Sequence, residues 1–370
     1  MGAGLRPLRA HPGVAAQRPA LPDAASSPVR LAGFGSASPA HPAGPEEVAS
    51  VVAAVWPGLS RHLGPLLDQS ACVGRRLVRP PSELAVPLTP SAQTALYRRV
   101  APALAEEAAT RALTAAGVAP REVGLLVLAS CTGFVLPGVD VMLIPRLGLR
   151  AEVVRMPFTV FGCGGGAAGL ARACDWVRGE PDQAALVVAV EVPSLTFRPD
   201  DQSVDNLLSA LVFGDGAAAV VVTAGERGLR MGRGRSALVP ETTGALGYQL
   251  ADSGLEVVLS QRLPRLLAGA LPALVREFLG ERPPSGLEAV AVHPGGPRIL
   301  EAVERCLGLS RDQTAASWAT LRSTGNTSSA ALLSVLGELA GAPPSQRGRG
   351  LAIGFGPGLS IELLELAWQC

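Results

Sequence analysis

No lysine occurs anywhere in the 370 residues, so every basic side chain is an arginine. That absence excludes chemistry built on a Schiff-base lysine or a phosphate-loop lysine. A phosphate-bearing ligand must then be held by arginine, by backbone N–H groups or by helix N-termini. An excess of charge is lacking too: the formal net charge is +1. Bulk electrostatics therefore give no reason to expect a nucleic-acid or membrane-surface partner. No uninterrupted apolar run reaches the roughly 18 residues that a membrane span needs. The six cysteines, Cys72, Cys131, Cys163, Cys174, Cys306 and Cys370, are scattered without a Cys-x-x-Cys pair. This spacing argues against a disulfide framework and against a zinc or other metal site. Isolated reduced thiols fit a cytoplasmic protein.

What is abundant is apolar material. The chain is 48% hydrophobic and 17% charged, with a mean hydropathy of +0.31. It can fill a large core, as two ordinary domains or one duplicated one. Residues 1–29 are the exception, rich in Ala, Pro and Arg with a single acid, Asp23. They lack both apolar periodicity and the continuous core of a secretory signal, and read as a disordered extension. Ser36 to Pro45 reads as a loop leading into a helix from about Pro45.

The pattern beyond is α/β. Apolar runs of strand length lie at 123–129, 184–190, 217–222, 287–292 and 351–353. Uninterrupted apolar strands are what a sheet covered on both faces requires. Helical segments are expected at about 164–179, 261–279, 297–306 and 327–340. Two successive α/β halves, 30–228 and 229–370, changing over near residues 225–235, are the simplest account.

Three residues carry candidate chemistry. Cys163, in Val160-Phe161-Gly162-Cys163-Gly164-Gly165-Gly166, reads as the end of an extended segment turning sharply into a helix. A thiolate at a helix start is favoured by the dipole and free N–H groups, which would lower its pKa. A buried structural cysteine fits the same local pattern. Of the four histidines, His11 and His41 lie in irregular N-terminal sequence, and His62 lies beside Arg61 on an expected surface helix. His293 alone ends a buried-type strand, where ligands of α/β sheets collect; it is either a satisfied core histidine or the partner of a Cys163 thiolate. Asn326, in Thr324-Gly325-Asn326-Thr327-Ser328, either caps the next helix or donates its amide to a thioester oxygen. Asp215 could orient a base, though a turn cap is the plainer reading.

The motifs Phe161-Gly162-Cys163-Gly164-Gly165-Gly166, Phe213-Gly214-Asp215-Gly216, His293-Pro294-Gly295-Gly296-Pro297, Thr324-Gly325-Asn326-Thr327-Ser328-Ser329 and Gly354-Phe355-Gly356-Pro357-Gly358 stand in one order over about 200 residues. Together they resemble the type III polyketide synthases, the chalcone and stilbene synthase superfamily, over roughly residues 30–368. The resemblance implies a thiolase-like fold of two duplicated α/β halves in an αβαβα layered core. It also implies a homodimer that uses acyl-CoA and malonyl-CoA as substrates and needs no further cofactor. Cys163 would carry the starter acyl group. His293 would keep Cys163 ionised and, with Asn326, hold the thioester oxygen of malonyl-CoA. Phe213 matches the gatekeeper aromatic between CoA tunnel and cavity, and Leu136 the residue that crosses the dimer interface. Cys131, Thr132, Thr196 and Ser328 match the starter pocket, and Tyr248 a cavity-floor position. Gly295 and Gly296 belong to the substrate-binding loop, and Arg75 stands where CoA would be gripped.

Two departures bear on substrate. Only Arg61, Arg75, Arg76 and Arg79 stand where plant relatives carry several lysines, and a second gatekeeper position falls on Val257. Ser130-Cys131-Thr132-Gly133-Phe134 resembles malonyl-primed tetrahydroxynaphthalene synthases, whereas Leu246 to Leu255 resembles alkylpyrone and alkylresorcinol synthases. The expected starter is fatty acyl, with closure to a pyrone or resorcinol. A ketoacyl synthase III-like enzyme working with acyl carrier protein is the rival reading, and a non-catalytic thiolase-fold partner a third.

Overall fold

A computed structural model describes residues 28–57, 71–252 and 254–369. Most of the expected N-terminal extension, with His11, lies outside the described residues, as do Arg61, His62 and Cys370. In chain order the elements are β1 (Val29–Ala37), β2 (His41–Pro42), α1 (Pro45–Val55), β3 (Arg76–Leu77), α2 (Pro90–Ala116), β4 (Val123–Ala129), α3 (Val139–Leu147), β5 (Val154–Phe158) and α4 (Gly165–Gly179). Next come β6 (Ala184–Glu191), α5 (Val204–Val212), β7 (Gly216–Ala224), β8 (Leu229–Leu238), β9 (Leu246–Ala251), β10 (Gly254–Leu259) and α6 (Leu263–Leu279). The chain closes with β11 (Ala289–Val292), α7 (Pro297–Leu307), α8 (Ala315–Thr324), α9 (Ser329–Gly341), β12 (Arg347–Gly356) and β13 (Ser360–Gln369).

Nine strands join edge to edge in the order β11-β12-β13-β8-β1-β7-β6-β4-β5. The two halves of this sheet touch narrowly, through Arg30 opposite Arg230 and Leu31 opposite Leu229. The layering follows from the two-residue period of the strands. On β4 and β6, Leu125, Val127, Ala129, Ala185, Val187 and Ala189 share one core with α4 and α9, and Ala289, Ala291 and Ala352 reach that core from the other half. Their alternate neighbours Leu126, Leu128, Leu186 and Val188 pack instead beneath α2, and Val290, Val292, Leu351 and Ile353 beneath α6 and α7. Helices therefore cover both outer faces and fill the middle, an α/β arrangement of five layers.

The apolar runs of the sequence reappear as β4, β6, β7, β11 and β12, and the expected helices as α4, α6, α7 and α9. The N-terminal part differs from expectation. Val29 opens β1, which continues through Ser36 and Ala37, and His41 pairs with Leu77 between β2 and β3. A mixed sequence forms a strand there because β7 and β8 supply partners on both edges and Val29 and Leu31 are buried. Tertiary pairing decides it, not local propensity.

Candidate active site

The chain leaves β5 at Phe158, makes one turn of 3-10 helix over Gly162–Gly164, and enters α4 at Gly165. Small residues are needed here because other backbone comes very close. Gly162 has φ +50, and a Cβ there would lie 2.6 Å from the Pro357 ring. A Cβ on Gly166 would lie 2.1 Å from the Ser329 carbonyl oxygen. The glycine run thus seats Cys163 between the Gly354–Gly358 loop and the start of α9.

His293 directly follows β11 and is almost fully buried. Its main-chain N–H donates to Ile353 O at 2.8 Å, and Gly295 N–H donates to His293 O at 2.8 Å, fixing a tight turn. Asn326 lies between α8 and α9. Its N–H donates to Val212 O at 2.9 Å and its carbonyl accepts from Gly214 N at 3.2 Å, which pairs it with Phe213. Its Oδ1 accepts the Ser328 N–H at 2.9 Å. Asn326 is accordingly not the cap of α9, the place belonging to Ser328. With Oδ1 fixed in this way, the two Nδ2 protons are left for the cavity.

Cys163, Phe213, His293, Gly295, Gly296 and Asn326 line one cavity of about 150 Å³. The sequence separates these residues by up to 163 positions, and the fold brings them together. Arg298, which the sequence reading passed over, lines the same cavity and is exposed at the start of α7. A guanidinium there can hold a phosphate.

On another side of Cys163 is a buried polar knot. Ser328 Oγ lies 3.4 Å from Cys163 Sγ and 3.5 Å from Cys131 Sγ. Ser328 also has φ +51, a strained geometry for a residue with a side chain. Glu191, fully buried at the end of β6, accepts from Cys131 N at 3.0 Å, from Thr132 N at 3.1 Å and from Thr132 Oγ1 at 2.7 Å. It also accepts from the hydroxyls of Ser328 and Ser329. Sequence reasoning missed Glu191, although a lone carboxylate ending an otherwise apolar strand was a signal. A buried charge persists only when such donors surround it.

The remaining expectations divide. Tyr248 on β9 sits within the electrostatic reach of Cys131, Cys163 and Glu191, while the Thr196 hydroxyl donates to Pro193 O at 2.8 Å. Thr132 is different: its hydroxyl both donates to Glu191 and accepts from Val192 N at 2.8 Å. It braces the loop and has no donor left for a substrate. Arg75 is a correction. It is 2% exposed, and its guanidinium donates to Ala43 O at 3.0 Å and to Phe213 O at 3.1 Å. It does not reach out to grip CoA. Asp215 orients no base either; it accepts from Val78 N at 2.8 Å and from Ser194 N at 2.9 Å, tying two loops together.

Burial sets the proton affinities. Desolvation pushes Cys163 up to about 11, against the opposing help of the Ser328 hydroxyl. It pushes His293 down to about 4, and the Nδ1 of His293 has no hydrogen-bond partner among the described residues. The helix start therefore does not by itself give Cys163 a low pKa, because desolvation outweighs the dipole. In the unliganded protein burial favours a thiol at Cys163 and a neutral imidazole at His293.

Residues 80–226 match the family model described as chalcone and stilbene synthases, N-terminal domain, and residues 231–367 match its C-terminal counterpart. The chain is 37% identical to 1,3,6,8-tetrahydroxynaphthalene synthase of Streptomyces peucetius subsp. caesius, over 91% of this chain and 93% of that one. It is 30% identical to the alpha-pyrone synthesis polyketide synthase-like Pks18 of Mycobacterium tuberculosis, over 98% and 96%. The crystal structure of the tetrahydroxynaphthalene synthase of Streptomyces coelicolor superposes with a TM-score of 0.87 at 30% identity, covering 92% of this chain and 99% of that one. The chain belongs to the chalcone and stilbene synthase family and is a bacterial type III polyketide synthase, an acyltransferase.

Proposed function

We propose that Cys163 carries the growing acyl chain and that His293 and Asn326 form the oxyanion hole for malonyl-CoA. The observation that carries this reading is the shared cavity of Cys163, His293 and Asn326. A neutral imidazole offers one N–H, and Asn326, with Oδ1 held by Ser328 N, offers Nδ2. Two such donors stabilise the enolate formed when malonyl-CoA loses CO2. The enolate carbon attacks the Cys163 thioester, a C–C bond forms, and the Cys163 thiolate leaves. Reloading of the lengthened thioester onto Cys163 makes the reaction iterative. The substrates, acyl-CoA and malonyl-CoA, bring the only carrier group this chemistry uses.

For the starter, a small malonyl-derived group fits best. Cys131 and Cys163 both lie at hydrogen-bond distance from the Ser328 hydroxyl, and Tyr248 is within electrostatic reach of both thiols, a crowding that supports a small starter. The Streptomyces relatives named above are tetrahydroxynaphthalene synthases. A fatty acyl starter giving a pyrone or resorcinol is the second reading, favoured by cavity walls of Leu208, Leu211, Val212, Leu246, Leu259, Leu263 and Leu267. Incubation with malonyl-CoA alone, against malonyl-CoA plus lauroyl-CoA, followed by mass spectrometry of the products, separates them. An aromatic pentaketide from malonyl-CoA alone supports the first; products only with lauroyl-CoA overturn it.

A homodimer is part of the proposal. Phe134 and Leu136 are exposed on the loop after β4, and Val154 and Val160 are exposed on and just after β5, the edge strand paired with β4. Apolar side chains grouped in this way mark an interface. Leu136→Arg should shift the sedimentation coefficient to that of a monomer; an unchanged coefficient contradicts this face as the contact.

A further inference from the structure

The peptide at Val212–Gly214 is clamped from two sides. From one side comes Asn326, through Asn326 N to Val212 O at 2.9 Å and Gly214 N to Asn326 O at 3.2 Å. From the other comes the segment 72–78, which runs across it: Asp215 N donates to Arg76 O at 2.9 Å, and Val78 N to Asp215 Oδ2 at 2.8 Å. In this crossing Arg75 is, among the described residues, the only side chain that grips the Phe213 carbonyl, at 3.1 Å, while its Nε holds Ala43 O at 3.0 Å. The space is tight. A Cβ on Gly214 would lie 3.1 Å from Arg75 Cβ and 2.2 Å from Thr324 O.

Such a guanidinium is costly to bury, since its charge leaves water. Asp215 lies within electrostatic reach as its counter-charge. Two backbone carbonyls bonded by one planar fork give a fixed angle between them that a lysine ammonium cannot reproduce. Phe213 ends α5 at the point where its side chain enters the cavity wall beside Asn326.

We infer that Arg75 is a positioning residue: by holding the Phe213 carbonyl it fixes the Phe213 ring and the adjoining Asn326 peptide in the cavity wall. This rests on the reading of that cavity as the condensing site. Arg75 is buried and does not line the cavity that holds Cys163, so it acts only through Phe213 and its neighbour.

The test uses Arg75→Lys, which keeps the charge, and Phe213→Leu, alone and combined, with two readouts. Hydrogen–deuterium exchange should speed at 211–215 and 325–327 in Arg75→Lys and stay at the wild-type level in β4 and β6. Malonyl-CoA decarboxylation should fall by about 10- to 100-fold in kcat, the scale expected of a displaced catalytic constellation. In the Phe213→Leu background the same lysine substitution should add less than about threefold, since contacting residues are not additive. The inference is overturned if exchange is unchanged, if it rises throughout the sheet, or if the two substitutions multiply. The failures are distinguishable. A wild-type protein inert toward malonyl-CoA contradicts the functional reading, while the exchange pattern still decides whether Arg75 positions the peptide.

Discussion

At the scale of single residues, the informative disagreement concerns Cys163. The sequence points to a thiolate at a helix start, yet in the fold Cys163 is half-buried and desolvation pushes its pKa up to about 11. The sign of the pH effect follows directly: the reactive thiolate fraction grows as pH rises toward that value. Alkylation of Cys163 by iodoacetamide in the unliganded protein should therefore climb about tenfold per pH unit through pH 9. A plateau near neutrality would contradict a raised pKa. The neighbours have opposite signs. Ser328 lies at hydrogen-bond distance and favours the thiolate, so Ser328→Ala should slow alkylation at a given pH. Burial raises the Glu191 carboxyl above its usual range, and once ionised its charge disfavours the thiolate, so Glu191→Gln should speed alkylation at high pH. Neither role is visible in the sequence, since Glu191 and Ser328 stand 28 and 165 positions from Cys163 and meet it only through β6 and α9.

At the scale of elements, the glycine run shows what pattern reading captures. Its spacing implies a tight turn and a close neighbour, and the structure supplies both: the Pro357 ring against Gly162 and the Ser329 carbonyl against Gly166. Gly166→Ala must push α4 and α9 apart, at a cost of about 1–3 kcal/mol by overpacking. A lowered melting temperature is the expected result, and an unchanged one would contradict the contact. Buried strands and amphipathic helices were legible because burial on both faces leaves an uninterrupted apolar signature, as in Val123–Ala129 and Ala184–Glu191. Less was legible where partners come from afar. β1 is stabilised by β7 and β8 across nearly 200 residues of chain, and β8 alternates arginine with small residues, a pattern that resembles loop. Arg75 illustrates the same limit. One arginine among 32 basic residues looks like a ligand grip until the fold places it beneath Phe213.

At the scale of the whole molecule, the two halves divide the work. Residues 80–226, matching the N-terminal family model, contain Cys163, and residues 231–367, matching the C-terminal one, contain His293 and Asn326. The cavity exists only where the two meet, with the Gly354–Gly358 loop against the turn at Cys163. This organisation explains why the five motifs were recognisable in order while the cavity's size was not. The motifs fix backbone turns, whereas the free volume depends on side chains such as Tyr248 and Leu263 that pack from separate elements. The central claim is that the two halves assemble one condensing site around an acyl-carrying Cys163. Intact-protein and peptide mass spectrometry after incubation with malonyl-CoA tests it most directly, using wild type, Cys163→Ser and Asn326→Ala. The account predicts an acyl adduct on the peptide containing Cys163 in wild type, none at that position in Cys163→Ser, and condensation products lost in both variants. An adduct absent from Cys163, or products undiminished in Cys163→Ser, would contradict it.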